Sequence, residues 1–138
     1  MGDNMIYRIS ETAISKTDSI KLNIYNKEFK LSIKYRKYTG QDVLDSQYET
    51  ASKFKNANIN ASLDKVKKFI IRDSQNYDDS VDSIDHIFKY IRPKYLFIPR
   101  DKGIAAIMCD YKYDPEHGLA IVFKNGSYTN VGPQDIIL

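Results

Sequence analysis

The chain reads as an α+β domain in which an antiparallel sheet packs with about three helices. Three observations predict this. Apolar and polar residues alternate through residues 20–36 as one hairpin. Apolar residues recur at helical spacing in three stretches between residues 40 and 91. Short apolar runs broken by turn residues then fill residues 94–138 as strands. The 138 residues are 42% hydrophobic and 28% charged, the make-up of one globular domain with a sizeable core. Residues 1–19 show no clear period and read as a loosely held arm of that single domain, 1–138.

In the hairpin, Ile20, Leu22 and Ile24 alternate with Lys21 and Asn23, and Phe29, Leu31, Ile33 and Tyr35 alternate with Lys30, Ser32 and Lys34. A turn at Asn26-Lys27 sets Ile24 opposite Phe29 and Leu22 opposite Leu31. Every apolar side chain then shares one face. The first helical stretch, 40–56, starts after Thr39 with Asp42 in its first turn and aligns Val43, Tyr48, Ala51 and Phe54. The second, 62–75, takes Ser62 as its cap and aligns Leu63, Val66 and Ile70. The third, 81–91, aligns Val81, Ile84, Ile87 and Ile91 and stops before Pro93.

Residues 94–99 form a short apolar run. Residues 104–111 and 118–124 are apolar on both faces and read as central strands. Asn125-Gly126 is the strongest hairpin signal in the chain and folds 127–132 back along 118–124. Residues 135–138 close the chain as one more strand.

One cysteine excludes an intrachain disulfide and a multi-cysteine zinc site, and it suits a reducing cytoplasm. There is no apolar run of membrane-spanning length, and the first residues lack the apolar core of a secretory signal. The abundance of Lys, Ile, Asn and Tyr resembles an AT-rich bacterial coding bias. Net charge is +3, unevenly placed: residues 1–70 hold 13 Lys/Arg against 8 Asp/Glu, and residues 71–138 hold 8 against 10. Basic residues gather at 27–37. Acids gather at Asp73, Asp78, Asp79, Asp82 and Asp85, a face suited to a basic protein partner. A pI near 8.8 falls short of a nucleic-acid footprint, so nucleic acid is disfavoured as a partner, as the lack of a membrane-spanning run disfavours a membrane.

The chemistry concentrates in residues 109–118, "CDYKYDPEHG". Pro115 is pre-set for a type I turn, Asp114 can bond its own backbone, and Gly118 can take a positive φ. The turn accounts for those three and leaves Glu116 and His117 unassigned. A calcium loop of EF-hand type fails, because Lys112 takes the third place from Asp110 and Gly118 the ninth. Zinc would need further His or Cys beside His117, and the other histidine, His86, belongs to the third helical stretch. Cys109 continues a buried strand, where a thiol is inert. The turn reading outweighs catalysis, and no metal or cofactor is expected.

The last 30 residues or so resemble the signature of an uncharacterised bacterial domain-of-unknown-function family. The matching positions are Asp110, Tyr113, Asp114, Glu116, His117, Gly118, Asn125, Gly126, Gly132, Gln134 and Asp135. The resemblance implies a small cytoplasmic α+β domain in the company of immunity-type genes. It adds weight to Asp110, Asp114, Glu116, His117, Gln134 and Asp135 as a binding set. Two functions are then open. One is a non-catalytic domain that binds a protein, as an immunity protein caps a toxin. The other is a small hydrolytic or metal-dependent enzyme that uses Glu116 and His117, with Asp135 orienting the histidine. In both, residues 133–135 turn beside residues 114–118. Gly132 lies near Leu119, His117 lies beside Asp135, and the Gln134 amide satisfies neighbouring backbone groups, so that these polar residues lock the two loops.

Overall fold

The computed structural model describes residues 8–9 and 18–138, so most of the expected arm, 1–19, lies outside the described residues. The elements are β1 (Arg8–Ile9), β2 (Ser19–Ile24), β3 (Lys27–Lys37), α1 (Asp45–Lys53), α2 (Leu63–Ser74), β4 (Ile91–Ile98), β5 (Ile104–Tyr111), β6 (Leu119–Lys124) and β7 (Ser127–Gly132). Strands β2 to β7 lie side by side in chain order, and the backbone of β1 pairs with the far end of β3. The α+β class stands, with one correction to the expected antiparallel sheet. β3 and β4 run parallel, because the chain crosses between them through both helices.

The hairpin β2–β3 turns at Tyr25-Asn26, both at positive φ (54° and 68°), one residue earlier than expected. Leu22 therefore faces Phe29 and Ile20 faces Leu31. The register moves by two residues, so the same side chains still point inward. Tyr25 is held from outside the hairpin. Asn60 Oδ1 accepts its N–H at 2.9 Å, and its buried hydroxyl lies 2.7 Å from Ser62 Oγ. Ser62 Oγ in turn donates to the Ile59 carbonyl rather than capping α2.

α1 is shorter than residues 40–56. Gly40 sits at φ +80°, which breaks any helix from Thr39, and the helix begins at Asp45. Gln47 Oε1 accepts the Leu44 N–H at 2.8 Å. Its amide donates to the carbonyls of Arg36 and Ile98 at 3.0 and 3.1 Å, tying α1 to the ends of β3 and β4. α2 matches the expected range.

The third helix does not form, so the described residues hold two α-helices and not three. Residues 81–86 are irregular, Ile87–Lys89 make a single 3₁₀ turn, and β4 already begins at Ile91. Ile84, Ile87 and Ile91 are buried at the anticipated spacing, but Asp82, Ser83 and Asp85 beside them are weak helix formers. Pro93 falls inside β4 next to a bulge, where β5 flanks the strand and β3 does not yet reach. The chain end is not a strand either. Gln134–Ile136 form a 3₁₀ turn, because the Gln134 N–H is committed to the His117 carbonyl.

The main core lies between the sheet and the helices, where Val66 and Ile70 of α2 meet Leu96, Ile107, Leu119 and Ile121. A smaller cluster of Phe97, Ala106, Met108, Ala120 and Val122 occupies the opposite, outer face. Burial on both faces is why β5 and β6 read as unbroken apolar runs. Among the described residues no helix is long and apolar enough to cross a membrane.

Candidate functional site

The turn 112–118 joins two central strands. Asp114 Oδ1 accepts the His117 N–H at 3.1 Å, and the Asp114 carbonyl accepts the Gly118 N–H at 2.9 Å. The His117 ring lies over the same carboxylate, with Nδ1 3.1 Å from both Asp114 oxygens and Nε2 3.5 Å from Glu116. The hydrogen bond that the His117 ring donates to Asp114 raises the His117 pKa above its usual 6.5. The His117 backbone bond, followed by the ring, lowers that of Asp114.

The two loops are braced by Gln134. Its N–H donates to the His117 carbonyl at 3.2 Å, and its side-chain amide donates to the Cys109 carbonyl at 3.1 Å. Gly118 makes room for that amide: a Cβ there would sit 2.6 Å from Gln134 Nε2 and 2.7 Å from the Cys109 oxygen. The expected pairing of His117 with Asp135 is replaced by His117 with Asp114. Asp135 is exposed and reaches the ring only as the weakest of the charges around it. A bulge in β7 contributes. Val122 pairs with Asn130 while Phe123 pairs with Tyr128, which sets Gly132 opposite Ala120 and not Leu119. Asp110 stands apart on β5, 3.6 Å from Lys94.

Cys109, at the base of this loop, is fully buried, and burial pushes its thiol pKa far up, so it carries no thiolate. Among the described residues no group of three or more His, Cys, Asp or Glu side chains could hold a metal ion. A cavity of about 520 Å³ lies elsewhere, between α1 and the turns at Gly103 and Gly126.

The acidic residues divide into two sets. Asp73, on α2, accepts the Tyr111 hydroxyl at 2.7 Å. Asp79 pairs with Lys112 at 3.2 Å, and its carbonyl accepts the Tyr113 hydroxyl at 2.8 Å. Tyr113 is stacked between Tyr77 and Tyr90, with centroids 5.1 and 6.1 Å away. Ser74 Oγ accepts the Val81 N–H, and the Gln75 amide donates to the Val81 carbonyl. Asp78, Asp82 and Asp85 are left exposed on a segment pinned from both sides. Sequence reasoning identified the acids but missed Tyr113, Lys112 and Ser74 as the groups that hold them. The aromatic spacing Tyr111–Tyr113 was the available signal.

The family model described as a domain of unknown function (DUF6985) matches residues 6–138, and the chain belongs to that family. No curated protein and no solved structure matches it.

Proposed function

We propose that the chain is a non-catalytic protein-binding domain of the immunity type, which neutralises a toxin by covering a basic surface with residues 73–85. One observation supports this reading above the others: beyond the end of α2 at Ser74 the acidic segment lacks regular structure, yet Tyr113, Lys112, Ser74 and Gln75 hold it in place. A pre-ordered segment gives up little conformational freedom on binding. Its three outward carboxylates steer a cationic partner and set its orientation. The test is co-expression with the products of neighbouring genes, followed by affinity capture and a growth-rescue assay. Wild type should capture a partner and rescue growth, and the combined Asp78→Lys, Asp82→Lys, Asp85→Lys variant should do neither. No capture and no rescue by wild type would overturn the reading.

The contact between His117 and Asp114 supports a second reading, a small hydrolytic or metal-dependent enzyme in which Asp114 orients the ring and Nε2 points toward Glu116. Thermal melts with and without zinc separate the two. If the pair is a ligand set, His117→Ala removes only the metal-induced rise in Tm; if it is structural, the variant lowers Tm in both.

A further inference from the structure

Two depressions of about 420 and 310 Å³ share Asp110 and Pro115 and lie beside the 112–118 turn. β4 presents Arg92 and Lys94 outward, in alternation with the buried Ile91 and Pro93. Arg92 stands directly across from Asp110 in the β4–β5 register, but Asp110 pairs with Lys94. Arg92 and Lys89 make no ion pair with any described residue and are exposed. At the other end Lys34 lies over the Tyr95 ring, 4.4 Å from its centroid. Cations thus run along both depressions, while Tyr90, Pro115 and Tyr95 supply apolar surface.

We propose that this groove binds an extended acidic peptide segment. Charge complementarity chooses the occupant. Asp110 and Glu116 interrupt the cations, and a continuous chain of phosphates would be set against both. A peptide with spaced carboxylates meets the cations and offers backbone N–H groups to Asp110 and Glu116. The groove binds through cations outside residues 73–85, so it stands whether or not that segment has a partner.

The test is fluorescence anisotropy with a labelled peptide alternating Glu with Ser and Tyr, its Lys-for-Glu counterpart and a labelled oligothymidylate. The acidic peptide should bind best, weaken with salt, and lose about tenfold in affinity with Arg92→Glu or Lys89→Glu, equivalent to about 1.4 kcal/mol. Lys21→Glu, a charge reversal on β2, should leave affinity within about twofold of wild type, a change of well under 1 kcal/mol. The variant reversed at Asp78, Asp82 and Asp85 should still bind the peptide, which separates this result from failure of the toxin reading. Arg92→Gln serves as the milder variant if Arg92→Glu fails to fold. Absence of acidic-peptide binding, tighter binding of oligothymidylate, or equal losses with Lys21→Glu and Arg92→Glu would overturn the proposal.

Discussion

α2 and the segment that follows it, residues 75–90, both bury aliphatic side chains against the sheet, yet they are held in opposite ways. Val66 and Ile70 of α2 are fully buried on a helix whose backbone satisfies itself. Ile84 and Ile87 are buried nearly as well, but the backbone of their segment has only isolated bonds, and side chains hold it at Asp79 and Val81. Ser74 and Gln75 hold one side of the segment, and Tyr113 and Lys112 hold the other. The order of the acidic segment therefore resides in a few named groups, and those can be removed while α2 stays intact.

The largest expected effect comes from Tyr113→Ala, which deletes a buried ring, two stacking contacts and a hydrogen bond. It should cost about 3–5 kcal/mol of urea-unfolding free energy. Ile70→Ala in α2 should cost a similar ~2–5 kcal/mol. The two differ in locality. Hydrogen exchange in residues 77–82 should accelerate ahead of the rest in Tyr113→Ala, and uniformly with global stability in Ile70→Ala. Equal patterns would break the comparison.

Ser74→Ala comes next, because it leaves the Val81 N–H without its acceptor at a cost of about 1–3 kcal/mol. Tyr113→Phe keeps the ring and loses only the bond to the Asp79 carbonyl, about 0.5–1.5 kcal/mol by the same unfolding measurement.

The smallest effect is a pH dependence in the exposed 112–118 turn. The His117 pKa is raised above 6.5, so its contribution is fully present below 6.5 and is lost as pH rises through the folded value. The Asp114 pKa is lowered below 3.8, so its contribution is present above 3.8 and is lost as pH falls through the folded value. Turn amides should exchange slowest, relative to an unfolded reference, between those two limits. A ring titration followed by NMR should place the His117 midpoint above 6.5. A midpoint at or below that value would remove the pair from the account.

How much of this was legible follows from where each partner sits in the chain. Alternation in residues 20–36 revealed the inward face of the hairpin because the signal is local. The turn position escaped because Asn60 and Ser62, which hold Tyr25, lie more than thirty residues away. Val81, Ile84, Ile87 and Ile91 fit a helical period equally well as the anchors of an irregular segment. The groups that decided between these, Ser74, Gln75 and Tyr113, lie outside that window. In the candidate site, Asp114, Pro115 and Gly118 carried their own turn chemistry and were readable. The expected bond from the Gln134 amide to a neighbouring backbone group is made at the Cys109 carbonyl, whereas the pairing of His117 with Asp114 rather than Asp135 depended on geometry that includes a one-residue bulge in β7, which alternation does not announce.

The central claim is that residues 75–86 form a fixed acidic surface despite lacking regular structure. Amide hydrogen exchange followed by NMR on the wild-type chain tests it most directly. The account predicts that Tyr77, bonded to the Ser74 carbonyl, and Val81, bonded to Ser74 Oγ, are protected to a degree approaching Ile70 in α2. Exchange of both amides at unfolded-chain rates while Ile70 remains protected would contradict it.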